Sequence, residues 1–154
     1  MARLVIVSNR VPVPRPRERP QAGGLAVALK EALAAREALW FGWSGQTGPK
    51  TGGEPAMVTL GQTTYATIDL SAEDYRLYYT GFSNGMLWPL LHYRMGLAEF
   101  RRDEWEGYRR VNTVFAQCLK PLLRDDDVIW IHDFHHFPLA AALRTDGAKQ
   151  RIGF

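Results

Sequence analysis

Two continuous apolar runs, Leu4–Ser8 (LVIVS) and Val128–Ile131 (VIWI), constrain this chain more than any other feature. A strand with one face in water alternates apolar and polar residues. A strand that is apolar throughout must be covered on both faces, as in a parallel sheet sandwiched between helices. Helical patterns separate these runs, so the chain reads as an α/β domain with a mainly parallel sheet. At 154 residues it fits one domain with a substantial core.

The other elements follow in order. Val11–Ala22 is rich in Pro and Arg and reads as an exposed loop. Gly23-Gly24 opens an Ala/Leu-rich helix over Leu25–Arg36. Leu39–Trp43 reads as a short strand and Gly45–Pro55 as a loop. Met57–Leu60 and Thr63–Ile68, separated by Gly61-Gln62, predict a hairpin. Ser71-Ala72-Glu73-Asp74 has the pattern of a capping box. The aromatic segment after it predicts helix interrupted near Gly81. Asp103 and Glu106 are placed to cap the next helix, whose apolar face runs Trp105, Tyr108, Val111, Phe115 and Leu119. Asp125-Asp126-Asp127 reads as a solvated turn, Phe137–Arg144 as helix and Arg151–Phe154 as the start of another strand. A domain seldom stops as a strand begins, so the chain reads as a fragment of a longer protein.

The net charge is +3, and no basic run is interleaved with aromatics, which argues against nucleic acid as partner. A modest Arg excess suits an anionic small ligand equally well. No apolar stretch is long enough to predict a membrane span. The single cysteine, Cys118, cannot form an intrachain disulfide. It sits in an apolar helical pattern, predicts a core residue and suits a reducing cytoplasm. Self-association is left open.

In open α/β sheets, ligands bind beyond the carboxyl ends of the strands. The first strand ends in Ser8-Asn9-Arg10, where Arg10 offers a forked, permanently charged donor set to a phosphate. An arginine pairing a surface carboxylate is the plainer reading. The later strand ends in His132-Asp133-Phe134-His135-His136. Asp133 there can accept from sugar hydroxyls. The histidines lack a second ligand cluster, so no metal site is expected. Gly23-Gly24, at a helix start, permits close approach of an anion to unpaired N–H groups. It is neither a dinucleotide fingerprint nor a P-loop. Of the indoles in Trp40-Phe41-Gly42-Trp43, one is expected in the core and the other near the site mouth. Tyr78–Tyr93 (YYTGFSNGMLWPLLHY) suits either a packed helix kinked at Pro89 or a grip on a sugar, since Tyr and Trp combine flat apolar faces with a polar handle. No nucleophilic triad and no carboxylate pair for glycoside hydrolysis is evident.

Taken together these strings are specific. Val7-Ser8-Asn9-Arg10, Gly23-Gly24-Leu25, Trp40–Gly45, Tyr78–Tyr93, Tyr108-Arg109-Arg110-Val111-Asn112 and Ile129-Trp130-Ile131-His132-Asp133 occur in this order. The whole chain resembles the N-terminal part of the trehalose-6-phosphate synthases, retaining glycosyltransferases of GT-B architecture. The resemblance implies a Rossmann-like acceptor domain that faces a donor domain absent from these residues. It implies glucose 6-phosphate at Arg10, Tyr79, Trp88 and Asp133, and UDP-glucose near Gly23 and Gly24. Trp43 would line the pocket. Tyr78, Phe82, His92 and Tyr93 are left to packing. No cofactor is implied, and no catalytic residue falls within this segment, so the 154 residues alone are expected to give no turnover. Phe134-His135-His136 stands where the family more often has Tyr-His-Leu. Other readings are a relative with another phosphorylated acceptor (a glucosylglycerol-phosphate synthase or a pseudo-glycosyltransferase), or a non-catalytic sugar-phosphate-binding regulatory subunit.

Overall fold

The computed structural model describes residues 2–13, Leu29, Leu33 and 36–154. Most of the loop expected over Val11–Ala22 and of the helix expected over Leu25–Arg36 therefore lies outside the described residues. The strands form a six-stranded sheet in the order β3-β4-β2-β1-β5-β6. The central strand β1 (Leu4–Arg10) pairs parallel with β2 (Ala38–Gly48) and with β5 (Val128–Ile131). β4 (Thr63–Ser71) runs parallel to β2, and β6 (Arg151–Gly153) parallel to β5. β3 (Ala56–Leu60) is an antiparallel, exposed edge, joined to β4 by a tight turn at Gly61, φ 62°.

Coverage of both faces explains the run in β1; in β5 only Ile129 and Ile131 are buried, while Val128 is half-buried and Trp130 is 39% exposed. Val5, Val7, Leu39, Phe41, Ile129 and Ile131 point one way, into a core with Tyr78, Tyr108, Val111, Phe115, Leu119, Leu139 and Leu143. Ile6, Ala38 and Trp40 point the other way, onto the buried, helical Leu29 and Leu33. Each fully buried large aliphatic or aromatic chain here contributes about 1.5–3 kcal/mol.

The chain winds outward from β1 through β2 and β4, then returns to β1's other side as β5 and β6. The carboxyl ends of β1 and β5 thus flank the point where strand order reverses, the usual crevice of such sheets.

The helical layer departs from expectation in several places. Residues 72–91 form one uninterrupted helical run with no break at Gly81: α1 (Ala72–Asp74), a π-helical stretch Tyr75–Leu87 and α2 (Trp88–Leu91). Pro89 lies within this run, at the start of α2. Ser71 caps the run by accepting from Asp74 N at 3.1 Å. The Asp74 carboxylate does not reach back to complete the box. It pairs with Arg110 and Thr51 instead. α3 (Arg102–Leu119) has no side-chain cap; Glu106 pairs with Arg102 at 3.0 Å, and Asp103 and Glu104 sit in the first turn, where the helix dipole favours them. Its expected apolar face is buried, apart from the half-buried Trp105.

Three further corrections follow. β2 continues to Gly48, through residues that read locally as loop, because β4 supplies a partner as far as Gly48↔Ser71. Asp127 is not solvated: its buried carboxylate pairs with Arg3 at 2.7 Å. Cys118 is only half-buried at the core edge, with Sγ 3.4 Å from Gly53 O. α4 (Leu139–Thr145) follows a tight turn at Phe134–His136.

Candidate functional site

Ser8, Asn9 and Arg10 end β1 in an irregular step. Pairing with β2 passes from Ser8↔Gly42 to Arg10↔Trp43, so Asn9 bulges from the ladder. Side chains hold that bulge from both sides. Ser8 Oγ accepts from Trp40 Nε1 at 2.8 Å and donates to Arg10 O at 3.0 Å. The Tyr78 hydroxyl donates to Asn9 Oδ1 at 2.9 Å. Burial pushes the Tyr78 phenol well above its ordinary range, so it stays a donor at neutral pH. The Arg10 guanidinium lies over Gly45, where a Cβ would come 2.7 Å from Nε. Gly45 also has φ 86°, so both space and backbone favour glycine there.

Asp133 follows β5. His132 N donates to Val7 O at 2.9 Å, which extends the β1–β5 ladder to the site. Asp133 itself adopts φ 76°, ψ 158°, a backbone region sparsely populated by residues other than glycine. Its Oδ1 accepts from Phe134 N at 2.8 Å, and the side chain remains largely exposed.

Tyr79 reaches the same mouth from the π-helical stretch. Its ring packs at 5.3 Å on Tyr75, at 6.1 Å on Trp43 and at 5.6 Å on His135. Trp43 is buried under these rings, with Nε1 bonded to Gln46 O at 2.7 Å, so it supports Tyr79 from below. Trp40, the other indole, is buried on the opposite face. Trp88 is 45% exposed and stacks on His92 at 4.3 Å. Among the described residues no ring contact joins Trp88 to Trp43, Tyr79 or His135. The structure therefore brings Arg10, Tyr79, Trp43 and Asp133 to one crevice and places Trp88 further along the helical run. Gly23 and Gly24 lie outside the described residues. Of the residues left to packing, Tyr78 and Phe82 are buried, whereas His92 and Tyr93 are exposed.

Two supporting residues escaped the sequence reading. Tyr108 and Asn112, one turn apart on α3, hold the turn after Asp133. The Tyr108 hydroxyl donates to Phe134 O at 2.6 Å. Asn112 Nδ2 donates to His135 O at 3.0 Å, and its Oδ1 accepts from His136 Nδ1 at 3.0 Å. Their i, i+4 spacing was visible, but their polar partners belong to a turn 23 to 26 residues away. Burial pushes His136 down to about 3 and holds His132 and His135 below the ordinary histidine value, so all three are neutral at pH 7. No group of His, Cys, Asp or Glu that could hold a metal ion occurs among the described residues. No helix among them is long and apolar enough to cross a membrane.

The model of glycosyltransferase family 20 matches residues 2–154. The chain belongs to this family. It is 52% identical to a trehalose-6-phosphate synthase of Citrobacter koseri over 155 aligned positions, 100% of this chain but 32% of that protein. A crystal structure of an alpha,alpha-trehalose-phosphate synthase (UDP-forming) from Burkholderia vietnamiensis superposes with a TM-score of 0.93 at 49% identity, covering 100% of this chain and 33% of that one. A Burkholderia xenovorans enzyme of the same description, solved in complex with glucose-6-phosphate, gives 0.87 at 50% identity, over 98% of this chain and 32% of that one. The chain thus spans about a third of the length of these family 20 relatives. Its mixed α/β fold and mostly parallel sheet are those of these GT-B glycosyltransferases.

Proposed function

We propose that the chain is the acceptor-binding part of a retaining glucosyltransferase that moves glucose from UDP-glucose to glucose 6-phosphate, forming trehalose 6-phosphate and UDP. The observation that carries this reading is the convergence of Arg10, Tyr79 and Asp133 at the crevice between β1 and β5, in a chain half identical to trehalose-6-phosphate synthases. Arg10 meets the acceptor phosphate with a charge-assisted contact. Tyr79 and Trp88 complete the acceptor site, and Asp133 accepts from sugar hydroxyls. Gly23 and Gly24 meet the donor near its diphosphate.

In the reaction the acceptor's anomeric oxygen forms the new bond to the glucose carbon as the bond to the diphosphate breaks. The departing diphosphate oxygen takes the acceptor's proton on the same face, so configuration is retained without a covalent enzyme intermediate. The residues of this segment contribute orientation, which is worth several kcal/mol when the reacting atoms are held in line. Charge stabilisation of the diphosphate falls to groups outside it. The compartment is the cytoplasm, which the single Cys118 suits; neither nucleic acid nor membrane takes part.

Calorimetric titration of the chain with glucose 6-phosphate and with glucose tests the reading. The phosphorylated sugar should bind more tightly. Arg10→Ala should weaken it by about ten- to a hundredfold, the loss of a charge-assisted contact of roughly 1.5–3 kcal/mol. Unchanged affinity in Arg10→Ala would remove the phosphate assignment. Tighter binding of glycerol 3-phosphate than of glucose 6-phosphate would redirect the acceptor to another sugar or polyol phosphate.

A further inference from the structure

His135 is buried, yet neither of its ring nitrogens has a hydrogen-bond partner among the described residues. An apolar ring would fill the same space without that cost, because each buried polar atom left unpaired forfeits its hydration. Nδ1 faces Asp133 Oδ2 at 3.7 Å, just beyond bonding distance. The face of the imidazole lies nearly parallel to Tyr79, at 12° and 5.6 Å, while Phe134 packs at 4.2 Å. The His135 main chain cannot drift, since its carbonyl is held by Asn112. Asp133, by contrast, has an exposed side chain and one oxygen, Oδ1, already occupied by Phe134 N.

We propose that His135 is a positioning residue: its Nδ1–H orients the second oxygen of Asp133 while its face fixes the Tyr79 ring, so one buried side chain sets the two acceptor groups relative to each other. The inference rests on the acceptor reading given above. It explains why a polar ring occupies a buried slot. A small rotation of the exposed Asp133 carboxylate closes the remaining gap when a sugar hydroxyl bonds to it. His135 is neutral at pH 7 because burial outweighs the nearby Asp133 charge, so it has one N–H to give and keeps the carboxylate a strong acceptor.

Two measurements test this. Long-range 1H–15N correlation on the chain reads the imidazole tautomer without any ligand. The expected result is the Nδ1–H form, which Asp133→Asn partly converts to Nε2–H; a dominant Nε2–H form in the unmodified chain would overturn the proposal. Calorimetry with glucose 6-phosphate then compares His135→Phe, His135→Asn, Asp133→Asn and the double variant His135→Phe/Asp133→Asn. His135→Phe keeps the ring face and should weaken binding about tenfold, with His135→Asn, which restores a donor, falling closer to the unmodified chain. The double variant should bind no worse than Asp133→Asn alone, because the histidine acts through the carboxylate. If Asp133→Asn weakens binding but His135→Phe leaves it within twofold, or if the two losses simply add, His135 has no positioning role. If Asp133→Asn and Arg10→Ala both leave affinity unchanged, the acceptor reading fails and takes this proposal with it. His135→Phe buries no polar nitrogen and should melt at or above the unmodified temperature, which separates positioning from loss of fold.

Discussion

Tyr78 and Tyr93 bound the same aromatic stretch, yet Tyr78 has no exposed surface while Tyr93 is 94% exposed. The first half of the stretch meets partners from every side: Asn9 from β1, Tyr108 from α3 and His135 from the turn after β5. The second half turns Trp88, Leu91 and Tyr93 outward, and the residues after it continue the exposure with Met95, Leu97 and Phe100. Both halves carry aromatic and large apolar residues. What separates them is whether distant elements arrive to cover the rings.

The largest contrast should appear in stability. Tyr78→Ala removes a fully buried ring and should cost about 3–5 kcal/mol, whereas Tyr93→Ala should lie within about 0.5 kcal/mol of the unmodified chain in denaturant unfolding. Comparable losses in the two variants would abolish the distinction. A second test concerns the turn that covers the first half. His136 is fully buried and held at about 3, below histidine's ordinary 6.5. The unfolded chain therefore takes up a proton first as pH falls, and stability should drop by about 1.4 kcal/mol per pH unit below about 6.5, until the native histidine itself protonates. His136→Leu should flatten that portion of the pH–stability curve. A slope unchanged in His136→Leu would assign the acid sensitivity elsewhere. A smaller loss than for Tyr78→Ala is expected from Tyr78→Phe, which keeps the packing and strands Asn9 without its donor, for about 1 kcal/mol. It should also loosen glucose 6-phosphate binding if the Asn9 bulge aims Arg10; affinity equal to the unmodified chain would sever that link.

Elements whose signal is local were legible in the sequence. The run at β1 declares coverage on both faces, whereas that at β5 overstates it, since Trp130 stays 39% exposed; Gly61-Gln62 between alternating segments declares the hairpin. The α3 face follows from its three- and four-residue spacing. Elements defined by a partner were not. Gly45 to Gly48 reads as loop because glycine and polar residues disfavour strands, and only pairing with β4 extends β2 across them. The π-helical Tyr75–Leu87 escapes a search for the 3.6-residue period, so its continuity through Gly81 was hidden. That Arg10 and Asp133 stand at the carboxyl ends of β1 and β5 was legible, because the strands themselves were. The contacts of His135, Tyr108 and Asn112 were not, because they depend on a turn that meets α3 only in the folded chain.

The backbone of Asp133 carries a consequence for anyone who tries to improve this protein. Its φ of 76° is a conformation that glycine holds freely and that costs other residues of order 1–3 kcal/mol. Asp133→Gly would therefore relax the chain while deleting the carboxylate. A library screened for thermal tolerance or soluble yield would enrich that change and, by the acceptor reading, hand back sturdier molecules that no longer hold the sugar. Selection on stability and selection on binding should diverge at this position, so any screen of this protein needs a binding step.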